Sequence, residues 1–210
     1  MVKGQLDYKR GALGRGRCVP SAKEPSDRHF LERFSCHRDA SAFQALVERH
    51  GPMVLAVCER ILHHAQDAED AFQATFLVLL HKTGSIGQPE LLANWLYGVA
   101  YRTALKSRAN AARQSQNQWQ AVSMPTPDPY LEVARRELRT LLDQELSRLP
   151  EKYRAALVLC YLQGKTNEEA ARQLGWPPGS MSARLSRGRQ MLRDRLTGRS
   201  RAFGRSRSGG

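Results

Sequence analysis

The chain has only four cysteines in 210 residues, Cys18, Cys36, Cys58 and Cys160, and no two of them are spaced as CxxC. That spacing gives no basis for a zinc finger or a disulfide framework, so the thiols are expected to be buried or incidental. No apolar run reaches the roughly 18 residues of a membrane span, and no membrane insertion is expected. The basic, glycine-rich start, MVKGQLDYKRGALGRGRCVP, has no apolar segment behind it. A secretory signal is therefore not expected, and a cytoplasmic location is. His63 and His64 are adjacent and would point apart on a helix, so no metal site is expected. A phosphate-cradling loop, a metal-ligand cluster and a nucleophile–base pair are all lacking. The chain reads as no enzyme and needs no cofactor.

Acids are missing too, but only locally. The net charge is +13, and between Leu91 and Pro127 there is no acid at all, while Arg102, Lys106, Arg108 and Arg113 punctuate the run. After Pro178 the only acid is Asp194, against arginines continuing to Arg207. Two separate basic zones point to a polyanionic partner. With 41% hydrophobic and 25% charged residues, the composition still suits a soluble globular protein.

Strand-like alternation is absent, and helical periodicity takes its place. Residues 1–38 read as a flexible basic extension and residues 39–113 as a helical block, with Gly51-Pro52 interrupting one helix and Gly84 ending another. Pro89 suits the first turn of the next helix. Residues 114–137 read as a proline-marked linker, 138–197 as a second helical block and 198–210 as a basic disordered tail. The fold class is all-α: two small helical domains on a flexible tether.

In the second block, Thr166 to Glu169 matches a capping box, and Gly175 followed by WPPG stops the helix it opens. The next helix is expected from Gly179 or Ser180. At about 100° per residue, Met181, Leu185, Gly188 and Leu192 share a core stripe. Opposite lie the small residues Ser182, Ala183 and Ser186, flanked by Arg184, Arg187 and Arg189, with Ser180 at the helix start. Small outward side chains let a helix enter a major groove, and the arginines reach phosphates or guanine edges.

The stretch QDAEDAFQATFLVLL, residues 66–80, crowds three acids into four residues. Ala68, Phe72, Thr75, Phe76 and Leu79 form its core stripe, and Asp67 is the expected N-cap. Glu69, Asp70, Gln73 and Leu77 fall together on the outer side, with Leu80 at its edge. An acidic face carrying leucine repels DNA and suits a protein partner. In the helix after it, Trp95, Leu96 and Val99 read as mostly core. Tyr97, Tyr101, Arg102, Lys106 and Arg108 mix rings and cations as single-stranded nucleic-acid sites do.

FQALVERHGPMVLAV, DAEDAFQATFLVLL and LANWLYGVAYRTAL, then LDQELSRLPEKYRAALVLCYLQGKTNEEAARQLGWPPGSMSARLSRGRQMLRDRL, come in an order and spacing that resemble one family. The chain resembles the extracytoplasmic-function (ECF) sigma factors of the sigma-70 family, and its GWPPGS and LPEKYRAALVLCY segments look like Planctomycete-type members. The resemblance implies a bacterial, cytoplasmic RNA polymerase specificity subunit. Glu69, Asp70, Gln73 and Leu77 would dock on the clamp helices of the polymerase beta-prime subunit. The helix from Asn94 to Arg113 would open and read the melted minus-ten strand, and the last helix would read the duplex minus-thirty-five element. An anti-sigma factor is a further partner implied by this likeness. Arg102 stands where many relatives have asparagine, and Ser182-Ala183 where a lysine–serine pair is common. A stand-alone helix-turn-helix regulator is the alternative.

Overall fold

Ser26 opens the first helix, its hydroxyl accepting from the His29 N–H at 3.3 Å. The computed structural model of the chain describes residues 25–115, 129–177 and 179–205. Helix α1 runs over Asp27–His37 and ends where Arg38 turns left-handed, at φ 51°. Leu31 and Phe34, nearly one turn apart, are buried. The flexible extension expected through residue 38 is thereby corrected, since these two side chains give residues 27–37 an apolar side to pack. Residues 1–24, the rest of the expected flexible extension, lie outside the described residues.

Asp39 caps α2, Ala40–Leu62, by accepting from the Ser41 and Ala42 N–H groups. The Ser41 hydroxyl bond, with Arg33 also at hand, holds its carboxyl at about 2. Gly51-Pro52 does not interrupt this helix. A proline ring removes one backbone bond, yet Leu46, His50, Met53, Val54 and Val57 bury a stripe on both sides of it. Gly51 lies against Phe72, where a Cβ would meet the ring edge at 3.6 Å.

Helix α3, Ala65–Lys82, tightens into a 3₁₀ turn at Thr83–Ser85, so it ends two residues before Gly84. A second 3₁₀ turn, Pro89–Leu91, leads into α4, Leu92–Ser115. Leu46, Val57 and Ile61 of α2, Phe76 and Leu79 of α3, and Leu92 and Leu96 of α4 fill the centre of this block.

The second block begins earlier than the sequence implied. Helix α5 spans Pro129–Ser147, so residues 129–137 are helical rather than linker. A proline is compatible with a first turn, and EVARRELRTLL behind it is rich in helix formers. Residues 116–128 lie outside the described residues. Helix α6, Glu151–Leu157, widens into a π turn at Val158–Leu162, closed by the Gln163 N–H on the Val158 carbonyl at 3.1 Å. Helices α7, Asn167–Leu174, and α8, Ser180–Arg205, complete the block. The tail expected from residue 198 is therefore helical as far as Arg205, and residues 206–210 lie outside the described residues.

The two blocks meet along a polar seam. Arg60 donates from Nε and Nη2 to Asp143 at 2.7 and 3.0 Å. Asn94 accepts from Arg154 Nε at 2.8 Å. His50, fully buried, sits 3.1 Å from Asp27 and 2.7 Å from the Gln163 amide.

Candidate nucleic-acid and protein interfaces

Helix α3 separates its residues by side. Ala68, Ala71, Thr75, Phe76 and Leu79 are buried, and the Thr75 hydroxyl returns to the Ala71 carbonyl at 2.8 Å. Glu69, Asp70, Gln73 and Leu77 are exposed together, Leu77 at 55%. Val78, at 37%, is exposed as well but turns toward α4, beside Trp95 and Arg102. Sequence reasoning missed Val78, although it directly follows Leu77. Asp67 is not the N-cap: His64 holds that position without a side-chain bond, and Asp67 stands in the first turn. The helix starts three residues earlier than expected, so Asp67 acts on the helix dipole rather than as a capping acceptor.

Helix α4 divides the five residues expected to face single-stranded DNA. Tyr97 is fully buried, and its hydroxyl donates to the Asp143 carbonyl at 3.0 Å, with Asp143 Oδ1 also 3.2 Å away. Burial, with the Asp143 charge beside it, pushes the phenol far above the usual tyrosine range. Tyr97 is therefore removed from the DNA-facing set: it packs where α5 crosses α4, an encounter between distant segments that periodicity does not reveal. Tyr101 stacks on it at 6.4 Å and stays half-buried.

Arg102 and Lys106 are exposed one turn apart. The Arg102 guanidinium folds back over Gly98, where a Cβ would meet its Nη1 at 3.3 Å. Arg102 lines a cavity of about 390 Å³ with Trp95, Val99 and Thr103 of α4, Val78 and Lys82 of α3, and the Ser85–Ile86 connection. Arg108 points elsewhere, into a groove with His63, Val133 and Arg136. Burial, and the nearby Arg136 and Arg108, lower the affinity of His63 for a proton.

The expected capping box opens α7: the Thr166 hydroxyl accepts from the Glu169 N–H at 3.2 Å, and the Glu169 carboxylate accepts from the Thr166 N–H at 2.8 Å. That backbone bond keeps the Glu169 carboxyl below its ordinary range. Gly175 ends α7 at φ 62°. On α8, Met181, Leu185 and Gly188 face inward, and a Cβ on Gly188 would come 3.1 Å from Leu157.

Ser182, Ala183, Ser186, Arg187 and Arg189 are exposed, while Ser180 and Arg184 are half-buried. The structure thus brings the outward α8 residues onto one side, but not with equal freedom. Asn167 donates to the Ser182 hydroxyl at 3.2 Å, and Arg189 donates to the Tyr161 hydroxyl at 2.8 Å. Arg184 lies over the Trp176 ring.

Among the described residues, no three His, Cys, Asp or Glu side chains gather as a metal site would require. No helix among them is long and apolar enough to cross a membrane. Burial pushes the Cys58 thiol up to about 12, as suits a packing residue rather than a reactive one.

Two family models match the chain: Sigma-70 region 2 over residues 46–114, and Sigma-70, region 4, over residues 139–192. The RNA polymerase sigma factor CarQ of Myxococcus xanthus is 32% identical over 175 residues, covering 79% of this chain and 95% of CarQ. The ECF RNA polymerase sigma factor SigE of Mycolicibacterium smegmatis is 29% identical over 182 residues, or 85% of this chain and 70% of SigE. Among solved structures, CnrH in complex with the cytosolic domain of CnrY superposes with a TM-score of 0.41 at 24% identity, over 83% of this chain and 99% of CnrH. Region 2 before region 4, together with a 32% identical sigma factor matched over nearly its whole length, establishes that the chain belongs to the sigma-70 family of RNA polymerase sigma factors, in its ECF group.

Proposed function

We propose that the chain is a dissociable specificity subunit that binds core RNA polymerase and directs it to promoters, with no reaction of its own to catalyse. The carrying observation is the segregation of charge. An acidic side with exposed Leu77 stands on α3, while exposed cations stand on α4 and α8 of a chain with net charge +13.

Glu69, Asp70, Gln73 and Leu77 form the surface for the polymerase clamp helices. Tyr101, Arg102 and Lys106, with the cavity beside Trp95, receive the melted minus-ten strand. Its cations follow the backbone, and the cavity offers an aromatic wall to a displaced base. Helix α8 reads the minus-thirty-five duplex through Ser182, Ala183, Ser186 and Arg187. The two domains follow as residues 40–115, with α1 packed onto them, and residues 129–205.

Charge reversal by Glu69→Arg with Asp70→Arg tests this reading. Both residues are exposed, so helix content should be unchanged by circular dichroism and salt-dependent duplex binding should persist. Association with core polymerase, measured by fluorescence anisotropy of labelled chain, is expected to disappear. Unchanged core affinity would reduce those acids to helix-dipole partners.

A further inference from the structure

The arginines of α8 are held in different ways. Arg189 rests on the Tyr161 hydroxyl, and Arg187 is exposed. Arg184, at the end of the first turn, lies with Cζ 3.7 Å from the centre of the Trp176 ring, and its Nη1 donates to the Ser180 hydroxyl at 3.1 Å. Both partners are neutral, and among the described residues no carboxylate pairs with it. The guanidinium is thus fixed in place with its charge uncompensated.

The platform beneath it is itself rigid. The Trp176 N–H donates to the Ala171 carbonyl at 2.9 Å, closing the end of α7 beyond left-handed Gly175. Pro177 follows at once and restricts the Trp176 backbone further. With its backbone held between a helix stop and a proline, Trp176 presents its ring face to the planar cation. The stack is a cation–π contact, and a pre-set guanidinium loses less rotamer freedom when it meets an anion.

We propose that Trp176 is a positioning residue for DNA binding: by stacking on Arg184 it pre-sets that guanidinium for one backbone phosphate beside the groove that α8 enters. The inference rests on the DNA-reading role assigned to α8 and adds a residue outside that helix to it. A phosphate contact is independent of sequence, so random-sequence duplex DNA serves as the probe.

The experiment measures duplex affinity against salt concentration for the full chain and for Trp176→Leu, Trp176→Phe, Arg184→Ala and the Trp176→Leu/Arg184→Ala pair. Arg184→Ala is expected to flatten the plot of log affinity against log salt by about 0.9. Trp176→Leu is expected to weaken binding about two- to twelve-fold, the equivalent of ordering one rotamer-rich side chain. In the Arg184→Ala background it should cost nothing further, and Trp176→Phe should retain binding.

Equal losses from Trp176→Leu with and without Arg184 would overturn the proposal, leaving Trp176 a packing residue only. An unchanged salt slope in Arg184→Ala would overturn it as well. That second variant leaves the tryptophan in place, so it decides the matter even if Trp176→Leu fails to fold. Absence of duplex binding by the unaltered chain would remove the DNA-reading role itself, and the proposal with it.

Discussion

Arg187 and Asp27 show how differently a charge behaves when it is exposed or enclosed. Arg187 is exposed among the small residues of α8 and is the arginine best placed to reach a base edge. Arg187→Ala is expected to cost roughly 1–3 kcal/mol of duplex affinity if it removes a base contact. Electrophoretic mobility shift on promoter duplex measures this, and undiminished affinity would count against the assigned face. Asp27 is 6% exposed and accepts from Arg49 at 2.8 Å, with His50 at 3.1 Å. Burial alone would raise its pKa, but His50 and Arg49 outweigh it and bring the carboxyl below its ordinary 3.8. A depressed folded pKa means that the unfolded chain takes up the proton first as pH falls. The stability Asp27 supplies is therefore complete above about 3.8 and is lost below it, as pH passes down through the folded value. Asp27→Asn should lower urea-unfolding stability by about 1.5–3 kcal/mol at neutral pH. The gap from the unaltered chain should close in strong acid, and a gap independent of pH would contradict this account.

Helices were legible in the sequence wherever their signals were local. The capping box at Thr166, the stop at Gly175 and the start of α8 at Ser180 all stand as their residue types imply. The inward stripe of α8 is likewise as its spacing dictates, and Gly188 shows what that spacing is for. With a Cβ position only 3.1 Å from Leu157, it lets α8 lie close on α6. Gly188→Val should force the helices apart and destabilise the chain by about 1–3 kcal/mol, read from thermal or urea unfolding; an unchanged midpoint would mean the helices already have room. What the sequence hid was decided between elements. α2 continues through Pro52 because the buried stripe on either side outweighs one lost backbone bond. Tyr97 looked like a ring for stacking bases, but Asp143, 46 positions away, encloses it. Helix α1 carries its signal in one short cluster, Phe30, Leu31 and Phe34, after a Ser26 cap, and eleven residues are too few for the period to repeat.

For the molecule as a whole, acidic and basic side chains stand on different sides, and the proposed function gives each side its own partner. The acids of α3 lie outward, away from the core shared by α2, α3 and α4, while the cations of α4 and α8 occupy other sides. The buried acids do different work: Asp143 and Asp27 satisfy arginines and hold the blocks and α1 in place rather than facing a partner. In the proposed reading, region 2 and region 4 supply separate surfaces for DNA, and the α3 side is left for the polymerase. The most direct test of this division is transcription from genomic promoter fragments by purified core polymerase, with and without the chain. Promoter-specific transcripts should arise only when the chain is present, and Glu69→Arg with Asp70→Arg should abolish them. The same transcripts with and without the chain, or full activity from that charge-reversed variant, would contradict the account.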